Sequence, residues 1–286
     1  MLRNKQLLLV LSVLLVGASC EQKPKLIEMA ELYPWCIVAY DSLERTPAER
    51  IDMLQELGFE KYAYDWRDRH LDDTKEELSL AVEKDIEVIS VWLWLNAKRD
   101  SIDKISLGNE RLFSILEDLR LETTFWVSMS PNFFKEQADE TSLKEAIAFI
   151  QFIAEKAEEI NCKVALYNHT GWFANPNNQI KIIDALPQHE LSIVYNFHHG
   201  HKDVERFPAL VEDMLPYLSA VNLNGMRDGH KVLTIGKGEY EKQMLQTLLD
   251  AGYTSPFGIL GHVEGADVRT ILEENLAGLQ KMPSLR

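Results

Sequence analysis

The sequence predicts an α/β fold, a single closed (β/α)8 barrel, on three observations. Eight short apolar or alternating runs recur between residues 36 and 262, and amphipathic helical patterns lie between them. Strand–helix alternation of this kind gives parallel strands covered by helices. The units occupy residues 31–286, close to the roughly 250 residues typical of a TIM barrel. A doubly wound open sheet is the alternative, because spacing does not show closure. The segment after the first run, DSLERTP, carries no Gly-rich phosphate turn, which counts against a dinucleotide fold.

Residues 1–19 read as a signal peptide: Arg3 and Lys5 precede the apolar run LLLVLSVLLV, and GAS follows. Ten apolar residues are too few to span a bilayer as a helix. Small residues followed by Cys20 match a bacterial lipoprotein signal, with Gly17 where Leu is usual. Cys20 is therefore expected to be lipidated, residues 20–30 to form a tether, and residues 31–286 to form the barrel. The expected location is the cell envelope or periplasm, with membrane contact through the lipid anchor only. A plain secreted protein cleaved nearby is the other reading.

CIVAY (36–40) is the first strand-type run. TPAERIDMLQELG (46–58) then opens on Thr46 as N-cap and Pro47 at the first helical position, and closes on Gly58. KYAYDW (61–66), IEVISVWLWL (86–95), ETTFWVSM (122–129) and KVALYN (163–168) supply strands two to five. TSLKEAIAFIQFIAEKAEEI (141–160) repeats apolar residues at helical steps. LSIVYNF (191–197), SAVNLN (219–224) and FGILGH (257–262) complete the strands, and helical patterns cover 203–215, 238–252 and 266–280. The longer loop 225–238 reads as a lid or rim element, with Asp228, His230 and Lys237 as solvated side chains. Cys36 and Cys162 lie in apolar runs and read as core.

The net charge is −15, and −17 once residues 1–19 are removed. Nucleic acid is not an expected partner, because phosphate binding calls for a basic surface.

In a barrel of this kind the C-terminal strand ends hold the site. Alternation puts His169 on one face with Ala165 and Tyr167, Asn196 with Ser192 and Val194, Asn222 and Asn224 with Ala220, and His262 with Gly258 and Leu260. Glu264 follows just beyond. Tyr64, Trp66, Trp92, Trp94, Trp126, Tyr167 and Trp172 sit at or near the same ends. Aromatic faces stack on sugar C–H faces while amides and imidazoles bond hydroxyls, so the expected partner is a small-molecule carbohydrate. The plainer alternative is that the amides satisfy strand-end backbone and the tryptophans fill the barrel.

The segments ALYNHTGWFANPNNQI, IVYNFHHGH, VNLNGM, IGKGEY and GILGHVEGADVRTILEENLAGL resemble the xylose-isomerase-like TIM barrel family. The resemblance implies a sugar isomerase or epimerase, or an endonuclease-IV-like enzyme. It also implies a divalent metal held by Glu, Asp, His and Glu on strands five to eight, the two Glu acting as acid and base. Those positions fall here on Tyr167, Asn196, Asn222 and His262, with Leu260 as an alternative register for the last; His199 keeps a substrate-contacting place. A hard cation prefers anionic oxygens, so the family metal is not expected to bind as it does in relatives, and the cofactor stays open. Either His169, His199 or His262 acts as base with Asn196, Asn222 and Asn224 steadying an oxyanion, or His169, His199, His262 and Glu264 form a softer transition-metal site.

The expected function is isomerase- or epimerase-like: proton abstraction next to a carbonyl of a carbohydrate or keto-sugar. Catalysis is assigned to His169, His199 and His262, and substrate binding to Tyr64, Trp66, Trp94, Tyr167, Asn196, Asn222, Asn224 and Glu264. A lyase or hydratase on oxidised glycosides, and a non-catalytic carbohydrate-binding lipoprotein, are the rival readings.

Overall fold

The computed structural model describes residues 27–229 and 232–282. The signal peptide, Cys20 and His230 lie outside them. Eight parallel strands form one sheet: β1 (Leu32–Trp35), β2 (Lys61–Tyr64), β3 (Glu87–Leu95), β4 (Thr124–Met129), β5 (Lys163–Tyr167), β6 (Leu191–Asn196), β7 (Leu218–Leu223) and β8 (Phe257–Leu260). The hydrogen-bonded order runs from β1 through β8 and back down to β2, which is the order of a barrel. Around it lie α1 (Pro47–Glu56), α2 (Thr74–Glu83), α3 (Leu107–Leu119), α4 (Asp139–Glu158), α5 (Pro176–Ala185), α6 (Phe207–Met214), α7 (Glu241–Asp250) and α8 (Val268–Lys281). Among the described residues no helix is long and apolar enough to cross a membrane.

The first strand differs from expectation. It is LYPW, and the segment 36–40 expected to be a strand is the loop after it. Pro34 lacks the N–H of a ladder residue and so masks the strand in the sequence. Cys36 takes a left-handed φ of 59° and ends the strand. The seam between β1 and β2 is joined by a side chain: the buried Asp65 carboxylate accepts from the N–H groups of Ile37, Val38 and Ala39 at 2.8, 2.9 and 3.3 Å.

Thr46 caps α1, accepting from Glu49 N–H while the Glu49 carboxylate reaches back to Thr46 N–H. Helices α2, α3 and α5 add to the helical patterns expected from the sequence, and α3 also repeats apolar residues at helical steps, in Leu112, Phe113, Leu116 and Leu119.

Strand alternation sorts side chains into two cores. Val164, Leu166, Ile193, Tyr195, Val221 and Leu223 point outward to the helices. Tyr33, Trp35, Trp92, Trp126 and Tyr167 fill the barrel together with Ala63, Ala165 and Ala220. Trp126 sits at the centre, 4.9 Å from Trp35, 5.7 Å from Tyr33 and 6.1 Å from Tyr167, ring centre to ring centre. Small residues make room for these rings: a Cβ on Gly258 would collide with Asn222 Oδ1 and the Tyr33 ring.

Candidate functional site

The C-terminal strand ends enclose a cavity of about 130 Å³. Trp35, Trp92 and Leu260 line it with Tyr167, His169 and Asn196, and loop residues Cys36, Tyr40, Arg67, His198, His199 and His262 complete it.

Asn196 organises the centre. Its Oδ1 accepts from His198 N–H at 2.9 Å, capping the short 3-10 helix that runs from Phe197 to Asp203. The amide nitrogen must then face the other way, and it donates to Tyr167 Oη at 2.6 Å. Trp35 Nε1 donates to the same oxygen at 3.2 Å. With two bonds accepted, the phenol's own hydrogen is left to donate into the cavity. Burial raises the Tyr167 pKa, which keeps that hydrogen in place. Asn168 locks the arrangement: its Oδ1 accepts from Asn196 N–H at 2.7 Å and its Nδ2 donates to Asn196 O at 3.2 Å.

The histidines gather around this clamp. His169 and His199 rings are 4.6 Å apart, and His199 meets Tyr167 edge-on at 5.7 Å. The 3-10 turn that carries His199 needs Gly200, because a Cβ there would collide with the Tyr195 hydroxyl. His262 stacks on Tyr40 at 3.6 Å. Burial lowers the His169 pKa to about 4, aided by Arg67. Burial also holds His199 well below the ordinary value, followed by its histidine neighbours. His262 is lowered by burial, against the opposing pull of Glu264. These imidazoles are therefore neutral at pH 7 and able to accept a proton. His169 Nδ1 is buried without a partner among the described residues.

Arg67 supplies the positive charge. Its guanidinium lies over Trp92 at 4.2 Å and over Tyr40 at 5.5 Å. It donates to the backbone oxygens of Asp65 and Trp66 and to Tyr40 Oη, leaving two N–H groups uncommitted among the described residues.

Tyr167, His169, Asn196, His199 and His262 are thus brought together, while other expected site residues are not. Tyr64 points outward from β2, fully buried, with its hydroxyl 2.9 Å from Thr74 Oγ1; it is core, because it shares the parity of Tyr62 rather than of Ala63. Trp66 has the same parity, and its indole donates to Trp92 O at 2.8 Å. Asn222 is level with Asn196, but its Oδ1 accepts from Tyr33 Oη at 3.0 Å, and it does not line the cavity. Asn224 turns its amide to Gly225 O, also off the cavity. Glu264 is exposed in the loop beyond β8. Trp94 touches His169 edge-on at 5.3 Å from a neighbouring groove. Cys162 is core as expected, whereas Cys36 lines the cavity.

Trp35, Cys36, Tyr40, Arg67 and His198 were not expected in the site. The displaced first strand hid the first three. Arg67, three residues past the end of β2, follows the parity of Ala63 and Asp65, a signal legible in the sequence. His198 belongs to a 3-10 turn, where strand parity does not apply.

The residue pattern of the xylose isomerase-like TIM barrel family matches residues 51–282. The chain belongs to this family. No curated protein matches it. Among solved structures it is similar to 3-keto-D-glucoside 4-epimerase from E. coli, at a TM-score of 0.67 and 14% identity over 87% of this chain and 98% of that one. It is similar to D-psicose 3-epimerase from Clostridium cellulolyticum, at 0.63 and 13% over 88% and 97%. It is also similar to a family member from Mycobacterium smegmatis in complex with magnesium, at 0.55 and 16% over 87% and 91%. At these identities the likeness is one of fold.

The residues at the family's metal positions do not fit that metal. Tyr167 oxygen already accepts two bonds, Asn196 Oδ1 is committed to His198 N–H, and Asn222 Oδ1 to Tyr33. None of the three is a carboxylate. The softer site of three histidines and Glu264 is not assembled either. Among the described residues, no three His, Cys, Asp or Glu side chains are grouped to hold a metal.

Proposed function

We propose that the chain is a sugar epimerase- or isomerase-type enzyme that abstracts a proton next to the carbonyl of a keto-sugar, using its own side chains. The observation that carries the reading is the convergence of neutral imidazoles, a donating phenol and a guanidinium on one aromatic-walled cavity. The similar solved structures include a 3-keto-D-glucoside epimerase and a D-psicose epimerase, which favours a keto-sugar or a 3-ketoglycoside as substrate.

In this reading His199 takes the proton from the carbon beside the carbonyl. The C–H electron pair forms the new carbon–carbon double bond, and the carbonyl π pair moves onto the oxygen. The Tyr167 O–H and the free Arg67 N–H groups stabilise the oxyanion. Delivery of a proton to the opposite face, from water or from His262 once it has taken up a proton, gives the epimer. Return of the proton to the former carbonyl carbon, with the neighbouring hydroxyl's proton passed to the former carbonyl oxygen, gives the isomer. Trp35 and Trp92 stack on the sugar faces.

We also propose that the protein is an exported lipoprotein of the cell envelope, anchored through Cys20. Cys20→Ala would move it from the membrane to the soluble fraction; a membrane-bound variant would refute the anchor.

The test of the reaction is proton exchange. Keto-sugars and 3-ketoglucosides incubated in heavy water should take up deuterium at the carbon beside the carbonyl, read by NMR. His199→Ala should abolish uptake while weakening binding less than about tenfold. Binding without exchange across the panel would replace this reading with a carbohydrate-binding protein. Exchange accompanied by release of the glycosidic partner would mark elimination.

A further inference from the structure

We infer that the protein has a second subsite, for a ring carrying a carboxylate, beside the cavity that takes the reacting sugar; this rests on the reading above. The cavity, at about 130 Å³, is small beside the roughly 300–1,000 Å³ of sites that enclose a drug-sized ligand. It suits one sugar ring. A groove of about 420 Å³ adjoins it, and the two share Arg67 and Trp92. A ligand that fills the cavity and continues past Arg67 enters this groove.

The walls of the groove describe its occupant. Trp92 and Trp94 stand 5.7 Å apart with their planes 36° apart, an open aromatic cradle. Bonds made elsewhere hold the Trp92 ring and the Trp94 backbone. Trp92 Nε1 donates to Ser128 Oγ at 3.0 Å, and Asn109 Nδ2 holds the backbone oxygen of Trp94 at 3.0 Å. Trp66 is held in turn by the Trp92 carbonyl oxygen. Arg67 already covers one face of Trp92, so the face for stacking with a second ring is that of Trp94.

Charge supplies the rest. Arg67, Arg69 and Arg99 line the groove against a single acid, Asp68, leaving two positive charges on a chain whose net charge is −15. Asp68 is itself taken by Arg99 at 2.8 Å. A local cationic groove on an otherwise acidic protein focuses positive potential and favours an anion. A planar guanidinium matches a carboxylate in particular. The substrate class is then a glycoside of two rings, the outer one a uronic acid.

Three probes test this by calorimetry: methyl 3-ketoglucoside, its glucosyl-extended form, and the same extension oxidised to the uronic acid. The neutral extension should tighten binding several-fold. The acid should tighten it about tenfold further, with the added gain reduced by salt. Arg99→Gln should remove the gain from the acid and leave the methyl glycoside unchanged, in both binding and deuterium exchange. Trp94→Ala should weaken both extended forms. The subsite is refuted if the extended forms bind no better than the methyl glycoside, or if Arg99→Gln weakens all three alike. In that event exchange on the methyl glycoside still upholds the proposed reaction. If no probe binds or exchanges, the reaction and the subsite fall together.

Discussion

At the scale of single residues the site turns on how hydrogen-bond capacity is spent. Asn196 can satisfy His198 N–H only with its oxygen, so its nitrogen meets Tyr167, and Tyr167 becomes a donor. Tyr167→Phe would remove that donor and leave the Asn196 and Trp35 N–H groups without their acceptor. Exchange should fall about a hundredfold, mostly in kcat, as for loss of one oxyanion donor. An unchanged kcat would remove Tyr167 from the reaction. The acid limb of the rate profile provides a second reading of the same cluster. His199 must be neutral to accept a proton, and burial lowers its pKa. The limb should therefore lie below pH ~6.5, the value for an exposed histidine.

At the scale of elements the seam between β1 and β2 is the part the sequence concealed. Seven strand runs, from KYAYDW to FGILGH, fall where their alternation places them, because each has one face for helices and one for the barrel. LYPW fails that reading through Pro34 alone, and with it Trp35, Cys36 and Tyr40 dropped out of the expected site. The inward positions of Tyr167, His169, Asn196 and His262 were legible from parity. The commitment of Asn222 to Tyr33 was not, since that bond spans 189 residues. Asp65 does at the seam what a ladder does elsewhere. In Asp65→Asn the amide nitrogen must face one of the N–H groups that the carboxylate now receives. The variant should lose about 1–3 kcal/mol, the cost of a buried unmatched donor. Amide exchange should quicken at Ile37, Val38 and Ala39 while β5 and β6 stay protected. Uniform quickening across the barrel would show that Asp65 acts on global stability and not on this loop.

At the scale of the whole molecule the site makes the fold sensitive to acid. His169, His199 and His262 are packed as neutral rings into one mouth, and burial lowers the pKa of each. In the unfolded chain they protonate near pH 6.5. Between that pH and their folded values the unfolded state binds more protons, so acidification stabilises it relative to the barrel. Stability should be level above about pH 7 and fall from ~6.5 towards 4. His169, held to about 4, accounts for on the order of 3 kcal/mol of that loss. Urea unfolding across this range measures the slope directly. His169→Asn removes one titrating ring while keeping a polar side chain, so its stability should fall less steeply between pH ~6.5 and 4 than that of the parent. Parallel curves would mean that the folded mouth admits protons as readily as the unfolded chain. The neutral-imidazole basis of the proposed proton abstraction would then fail with the stability argument, because both depend on the same buried cluster.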